Sequence, residues 1–221
     1  MANSGERATL PDQPETVAAQ PLRLFLIRHG ASTWNDERRI QGQLDPPLSP
    51  RGKEQVRKLG ERFRDTRIDG FYSSDLGRAV ETASAIASVT GLQPEMMPEL
   101  REIALGEWEG LNRDDLKSRY PEEWARWSAG QSWNIVPGGE GTEAFEARVG
   151  AAIEQIKGRH TSGTVVVVTH GGVIQVALLG VVGRSSNGLF PFTIDNTSIT
   201  VLQGSRDRFV VGRVNDTCHL G

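Results

Sequence analysis

Two histidines in this chain each follow a short apolar run and precede glycine. Arg23-Leu-Phe-Leu-Ile27 stops at Arg28-His29-Gly30, and Thr164-Val-Val-Val-Val-Thr169 stops at His170-Gly171-Gly172. Glycine after each histidine removes the side chain that would keep a ligand off the backbone. A third apolar run, Ile68 to Tyr72, ends in Ser73-Ser74-Asp75, with Arg78 one turn later. A guanidinium offers two hydrogen bonds at once to a phosphate, so Arg28 and Arg78 beside two histidines read as an anion site. Two neighbouring arginines disfavour a positive charge on His29 and so help to keep it neutral. Gly171-Gly172 opens the next helix, whose free N–H groups add a further anion contact.

The competing chemistry is metal binding, since histidine is a common ligand. Against it, Arg28 adjoins His29 and would oppose a cation, and no HxH, HxxxH or dense Asp/His spacing occurs. A metal-dependent hydrolase built on His29 and His170 predicts loss of activity with a chelator. The expectation is no metal and no cofactor. His160 and His219 read as ordinary polar residues. Cys218, the single cysteine, cannot form an internal disulfide and reads as a tail residue without chemistry.

These groups need elements to position them. The apolar runs read as short buried strands, each entering a loop. Four consecutive valines, Val165 to Val168, cannot alternate in and out, so that strand must be covered on both faces. After Gly30 a polar loop runs to Asp45-Pro46-Pro47. Ser49-Pro50 opens a helix, with serine as N-cap, and Val56, Leu59 and Phe63 form its apolar face. Leu76, Ala79, Val80, Ala83, Ile86 and Ala87 mark a second helix, which Gly91 stops. Thr142 to Lys157 forms another, with Phe145, Val149, Ile153 and Ile156 buried, and Val173 to Leu179 a fourth. Ser198 to Gln203 and Phe209 to Val214 read as late strands joined through Gly204 to Asp207. Strands alternating with helices imply an α/β fold: a three-layer α/β/α sandwich with a mostly parallel central sheet. Such sheets bind ligands at the carboxyl ends of their strands, where the three polar clusters stand. Between about residues 94 and 141 periodicity fades and four of five tryptophans occur (Trp108, Trp124, Trp127, Trp133), which reads as a partly helical cap-like insertion.

The 221 residues suit one domain with such an insertion. A net charge of -3 supplies no basic field for nucleic acid or an acidic membrane, so an anion must be held by a local cluster. No apolar run approaches the length of a membrane span. Residues 1–20 lack the apolar centre of a signal peptide and read as a disordered leader before a domain over residues 21–221. A cytoplasmic location is expected.

The chemistry-bearing segments resemble the histidine phosphatase superfamily, the phosphoglycerate mutase-like fold. The resemblance is carried by Leu26-Ile-Arg-His-Gly-Ala-Ser-Thr-Trp-Asn35, Gln41-Gly42, Pro47-Leu48-Ser49 and Gly52, then Ser73-Ser-Asp-Leu-Gly-Arg-Ala-Val-Glu-Thr-Ala83. It continues through Leu100-Arg-Glu102, Gly106-Glu-Trp-Glu-Gly110, Val168-Thr-His-Gly-Gly172, Asn196-Thr-Ser198, Asn215-Asp-Thr217 and His219-Leu220. It implies that His29 takes the phosphoryl group, that Arg28, Arg78 and His170 surround the phosphate oxygens, and that Asn35, Gln41 and the Gly171 backbone add contacts. It also implies that Glu102 is the proton donor to the leaving alkoxide and then deprotonates the attacking water. Taken alone, Glu102 would read as a partner of Arg101, and Arg78 as a partner of Glu81 or Asp75. Three positions depart from the family's habits: Ala31 lacks the usual Glu or Gln, Ser32 stands for Thr, and Gly141 replaces the serine of a Pro-Gly-Gly-Glu-Ser run.

The superfamily holds phosphatases and phosphoglycerate mutases. The longer basic, proline-bearing insertion of the mutases is missing, and Trp124-Ala-Arg-Trp127 with Pro137-Gly-Gly-Glu140 resembles the broad-specificity and sugar-phosphate phosphatase branch. Hydrolysis of small phosphorylated metabolites, such as sugar or glycerate phosphates, is therefore expected, with phosphoglycerate mutation as the alternative. A member that acts only by binding protein partners would lack the full set His29, Arg28, Arg78, Glu102 and His170. The partner expected is the phosphorylated metabolite, and a homodimer stays open. The tryptophans either line a pocket over the cleft or pack the insertion onto the sheet.

Overall fold

In the computed structural model, residues 20–130, 132–185, 190–205 and 208–221 are described. The reading of residues 1–20 as a leader therefore falls, except for Gln20, outside the described residues, as do residues 206 and 207 of the late connection. Six strands form one sheet in the order β3-β2-β4-β1-β5-β6. They are β1 (Leu22–Arg28), β2 (Gly70–Ser73), β3 (Glu95–Met96), β4 (Gly163–Thr169), β5 (Ile199–Ser205) and β6 (Arg208–Asp216). β1, β2, β3 and β4 are mutually parallel, and β5 runs antiparallel to both β1 and β6.

The valine run explains the centre of this sheet. β4 lies between β1 and β2, and Val165 to Val168 are all 0% exposed. Val165 and Val167 face one core together with Leu22, Leu24 and Leu26. Val166 and Val168 face a second core with Ile27 and Phe71. The first core is covered by α6 (Thr142–Arg159) and α7 (Gly171–Val181), through Phe145, Val149, Ile156, Val173 and Ile174. The second is covered by α2 (Pro50–Phe63) and α3 (Gly77–Thr90), through Leu59, Phe63, Ala79, Ala83 and Ile86. The result is the three-layer arrangement expected. Burying each such branched side chain contributes roughly 1.5–3 kcal/mol.

Local chemistry sets the helix boundaries. Ser49 accepts the Gly52 N–H (3.1 Å) at the start of α2, with Pro50 in its first turn. Gly91 ends α3 in the left-handed conformation (φ 73°). The residue replacing serine at the head of α6, Gly141, offers no side-chain cap. Asn134 supplies one instead, its Oδ1 accepting the Thr142 N–H at 2.8 Å.

Four details differ from the sequence reading. The polar stretch before Pro47 contains a one-turn helix, α1 (Thr33–Asp36), because Ser32 and Asn35 form a reciprocal capping box. The strand read as starting at Ile68 starts at Gly70: Asp69 donates its N–H to Thr164 O (2.8 Å), but the Thr164 N–H goes to the Asp69 carboxylate (2.9 Å) and not to a main-chain carbonyl. Glu95–Met96, within the stretch read as an insertion, form the edge strand β3 beside β2. Ile153 is only half-buried on α6, and Ala152 takes its place in the stripe. The rest of that insertion stretch holds α4 (Arg113–Arg119), α5 (Pro121–Ser128) and short 3-10 turns.

Candidate active site

β1, β2 and β4 point their carboxyl ends the same way, so Arg28-His29, Ser74 to Arg78, and His170 to Gly172 meet above the sheet. The His29 and His170 rings lie with centroids 5.1 Å apart and are buried. His29 Nδ1 is 2.7 Å from the Gly30 carbonyl oxygen. A carbonyl only accepts, so Nδ1 carries the proton and the lone pair rests on Nε2. Burial, then the Arg78 and Arg28 guanidiniums, hold the His29 imidazole well below its usual pKa, against the weaker opposite pull of the Gly30 carbonyl. His170 is likewise held well below its usual pKa, by burial and then by Arg78, His29 and Arg28. Both rings are therefore neutral at pH 7.

Close packing fixes His29. A Cβ on Gly30 would stand 2.6 Å from Val56 Cγ1, so only glycine lets this loop lie against α2. The Gly30 N–H donates to Thr82 Oγ1 (2.9 Å), and the His29 carbonyl accepts from Asn196 Nδ2 (3.1 Å) and Thr197 N (3.3 Å).

The two arginines are anchored by some donors and leave others without a partner. Arg28 Nη1 donates to the Ile194 carbonyl (2.5 Å). Arg78 is 1% exposed; its Nη2 donates to the Gly42 carbonyl (2.7 Å) and its Nη1 to the Leu44 carbonyl (2.8 Å) and Asp45 Oδ1 (3.3 Å). Asp45 also accepts the Gly77 and Arg78 N–H groups, capping α3, whose N-cap Leu76 has no side-chain bond. His170 Nε2 pairs with Ser74 Oγ at 2.9 Å. Left buried without a hydrogen-bond partner are Arg28 Nε, Arg78 Nε and His170 Nδ1. Each belongs to a residue whose charge or ring acts on His29. Buried polar atoms are ordinarily satisfied. Three such atoms around one imidazole form a site for an acceptor-rich anion.

Glu102 faces this group through main-chain contacts. Its carboxylate accepts the Ile103 N–H (3.0 Å) and the Gly172 N–H (3.1 Å) at the head of α7. Arg101 pairs with Asp75 instead (2.7 Å), and Arg78 pairs with Asp45, not with Glu81 or Asp75. Glu102 is the first carboxylate acting on both the Arg28 and Arg78 charges. Gly171 lies against Arg28: a Cβ there would sit 3.6 Å from Nε.

Asn35 and Gln41 occupy the rim. Asn35 Oδ1 accepts from Ser32 N (3.0 Å), Ser32 Oγ (3.2 Å) and Asn196 Nδ2 (3.2 Å), while Gln41 Oε1 accepts from Ser32 Oγ (2.8 Å). Ser32, with its hydroxyl, thus joins both. The structure brings His29, His170, Arg28, Arg78, Glu102 and Gly171 together; Asn35 is linked to His29 only through Asn196, and Gln41 only through Ser32 and Asn35.

Four residues hold roles that the sequence reading did not assign. Asp45, Ser74, Asn196 and Gln43 each orient a neighbour, Gln43 through its Nε2 to the Glu102 carbonyl (3.2 Å). Ser74 could have been found from its place at a strand end; the others lie in loops far from their partners. His160 and His219 are satisfied polar residues, beside the Tyr72 hydroxyl and Thr197 Oγ1. The tryptophans mostly pack on one another and on Phe190: Trp127 stacks near Trp108, Trp124 and Trp133, and Trp108 and Trp133 are buried in the core. Among the described residues, no group of three or more His, Cys, Asp and Glu side chains could hold a metal ion, and no helix is long and apolar enough to cross a membrane.

Comparison with known proteins agrees with the family resemblance of the sequence. The family model for the histidine phosphatase superfamily, branch 1, matches residues 24–217. A metal-independent phosphoserine phosphatase of Arabidopsis thaliana is 34% identical over 208 residues, covering 92% of this chain and 85% of its own. A probable phosphoglycerate mutase of Photorhabdus laumondii is 35% identical over 172 residues, covering 76% and 80%. Among solved structures, a mycobacterial glucosyl-3-phosphoglycerate phosphatase bound to VO3 superposes with a TM-score of 0.79 at 29% identity, over 87% of this chain and 98% of its own.

Proposed function

Because the chain belongs to branch 1 of the histidine phosphatase superfamily, we propose that it hydrolyses phosphomonoesters of small metabolites through a phosphohistidine on His29. The observation that carries this reading is the convergence of three unpartnered buried groups, Arg28 Nε, Arg78 Nε and His170 Nδ1, beside an imidazole whose free lone pair is on Nε2. The phosphate oxygens take those donors. The His29 Nε2 lone pair forms the new N–P bond as the P–O bond to the alcohol breaks. Protonated Glu102 gives its proton to the departing oxygen. The Glu102 carboxylate then takes a proton from water, whose oxygen attacks phosphorus and breaks the N–P bond, freeing phosphate and His29. The arginines supply the positive charge that a metal supplies elsewhere. Asn35, Gln41 and the Gly171 backbone extend the binding surface. Beyond the edge strand β3, the stretch up to residue 141 forms a cap-like part of the domain of residues 21–221, and the enzyme works in the cytoplasm on metabolites such as phosphoserine or glycerate and sugar phosphates.

The likeness to a probable mutase favours one other reading, transfer of the phosphoryl group between the hydroxyls of phosphoglycerate. One assay separates the two. Wild type and His29→Ala are compared for phosphate release from an aryl phosphate and a panel of these metabolites, with EDTA present. EDTA-resistant release that disappears in the variant is expected. Equal release by both proteins, or interconversion of phosphoglycerates with little free phosphate, would overturn hydrolysis through His29.

A further inference from the structure

Glu102 lies in a segment without regular secondary structure, yet proton transfer needs its carboxyl group in one place. We propose that Arg148 of α6, with Glu140, is the positioning residue that fixes it. The inference rests on reading Glu102 as the proton donor.

The Arg148 guanidinium is shared among the main-chain carbonyls on either side of Glu102. Nη1 donates to Glu99 O (2.7 Å) and Arg101 O (2.9 Å), and Nη2 to Glu102 O (3.3 Å). Its remaining bonds go to the Glu140 carboxylate, Nη2 to Oε1 (2.7 Å) and Nε to Oε2 (3.3 Å). Glu140 then closes the other side of the segment: its Oε1 accepts the Ala104 N–H (2.9 Å), and its own N–H donates to Ala104 O (3.0 Å). The guanidinium rests over the Phe145 ring (5.2 Å), and Phe145 and Val149, its neighbours on α6, are 0% exposed. A rigid helix is thereby tied to the backbone on both sides of Glu102, while the Glu102 carboxylate itself is held at the start of α7.

Geometry requires arginine here. Five acceptor oxygens on three carbonyls and one carboxylate need a fork of several N–H groups; the single nitrogen of lysine cannot reach them together. The hydrogen bonds of Arg148 all go to the Glu102 segment and Glu140, and it acts on the phosphate site only as the weakest of the charges that lower the His170 pKa, behind Arg78, His29 and Arg28. Its loss should therefore leave phosphate binding intact and misplace the proton, and a misplacement near 1 Å can cost about a hundredfold.

The test uses the leaving group. kcat/KM reports the first phosphoryl transfer, and only a poor leaving group needs a proton in that step. Arg148→Met, Arg148→Lys and Glu140→Gln are measured on glycerol 2-phosphate and on 2,4-dinitrophenyl phosphate, with Glu102→Gln as the control and thermal melting as the measure of folding. Expected is a loss of roughly ten- to a hundredfold on the glycerol ester with less than about a threefold change on the dinitrophenyl ester. Lysine should not rescue, and a variant that fails to fold leaves the other two to decide. Equal losses on both esters, or none on either, in the folded variants while Glu102→Gln remains selective would overturn the positioning role. A Glu102→Gln control that does not distinguish the esters would instead overturn the reading of Glu102 as donor.

Discussion

Two neutral imidazoles buried between two arginines should make the fold sensitive to mild acid. His29 and His170 are 2% and 0% exposed, and both are held well below the usual histidine pKa by burial and by Arg78 and Arg28. A folded pKa below the unfolded one means that the unfolded chain takes up protons first. The stabilising contribution is full above the unfolded value of about 6.5, is lost as pH falls below it, and stops falling once the folded rings titrate. Between pH 7.5 and 5.5 each ring that stays neutral in the native state removes about 1.4 kcal/mol, so the pair removes about 2.7 kcal/mol. Urea unfolding followed by tryptophan fluorescence would measure this in wild type and in His29→Asn/His170→Asn. Subtracting the variant cancels the carboxylates and His219, which titrate in both proteins. The wild type should lose that extra stability across the interval, and a single variant should lose about half of it. Equal slopes for wild type and double variant would refute the claim that the site keeps both rings uncharged.

Two further outcomes follow from contacts in the site. Arg78→Lys keeps the charge but cannot serve the Gly42 and Leu44 carbonyls and still present a donor to phosphate. Its kcat should fall about a hundred- to a thousandfold, and its stability in urea by about 1–3 kcal/mol for a carbonyl left unpaired; near-wild-type turnover would show that Arg78 only braces the loop. In Gly172→Ala the new methyl would stand 2.2 Å from Glu102 Oε1. Turnover of alkyl phosphates should drop at least tenfold, as expected when a proton donor is displaced, with the fold retained by thermal melting; unchanged turnover would place the working carboxyl elsewhere.

The sequence was most legible where side-chain type and strand ends coincide. Val165 to Val168 announced a central strand, and glycine after His29 and His170 was read as backbone left open to a ligand, whereas at Gly30 it also lets the loop pack against α2. The partners of those residues were not legible. Arg78 looked ready for Glu81 or Asp75 because those are near in sequence, whereas its acceptors sit on a loop 34 to 36 positions earlier. Arg148 bonds mainly to main-chain carbonyls, and a carbonyl has no residue type to read. Asn134 replaced a missing serine cap from eight positions away. β3 is two residues long, too short for any alternation to mark it. Secondary structure follows local composition, but the fixing of a polar site depends on contacts that only the completed fold defines.

The position of β1 also shapes how the protein is made. β1 is hydrogen-bonded to β4 and β5, its two neighbours in the sheet, and Arg23 meets Thr164 across 141 positions. During synthesis β1 is therefore extruded long before either neighbour exists, with Leu22, Leu24, Leu26 and Ile27 still lacking the cores that bury them. Pairings so distant in sequence fold slowly and leave an apolar strand open to wrong partners on the ribosome. The strand that leads into His29 is then among the segments most exposed to wrong pairing before the chain is complete.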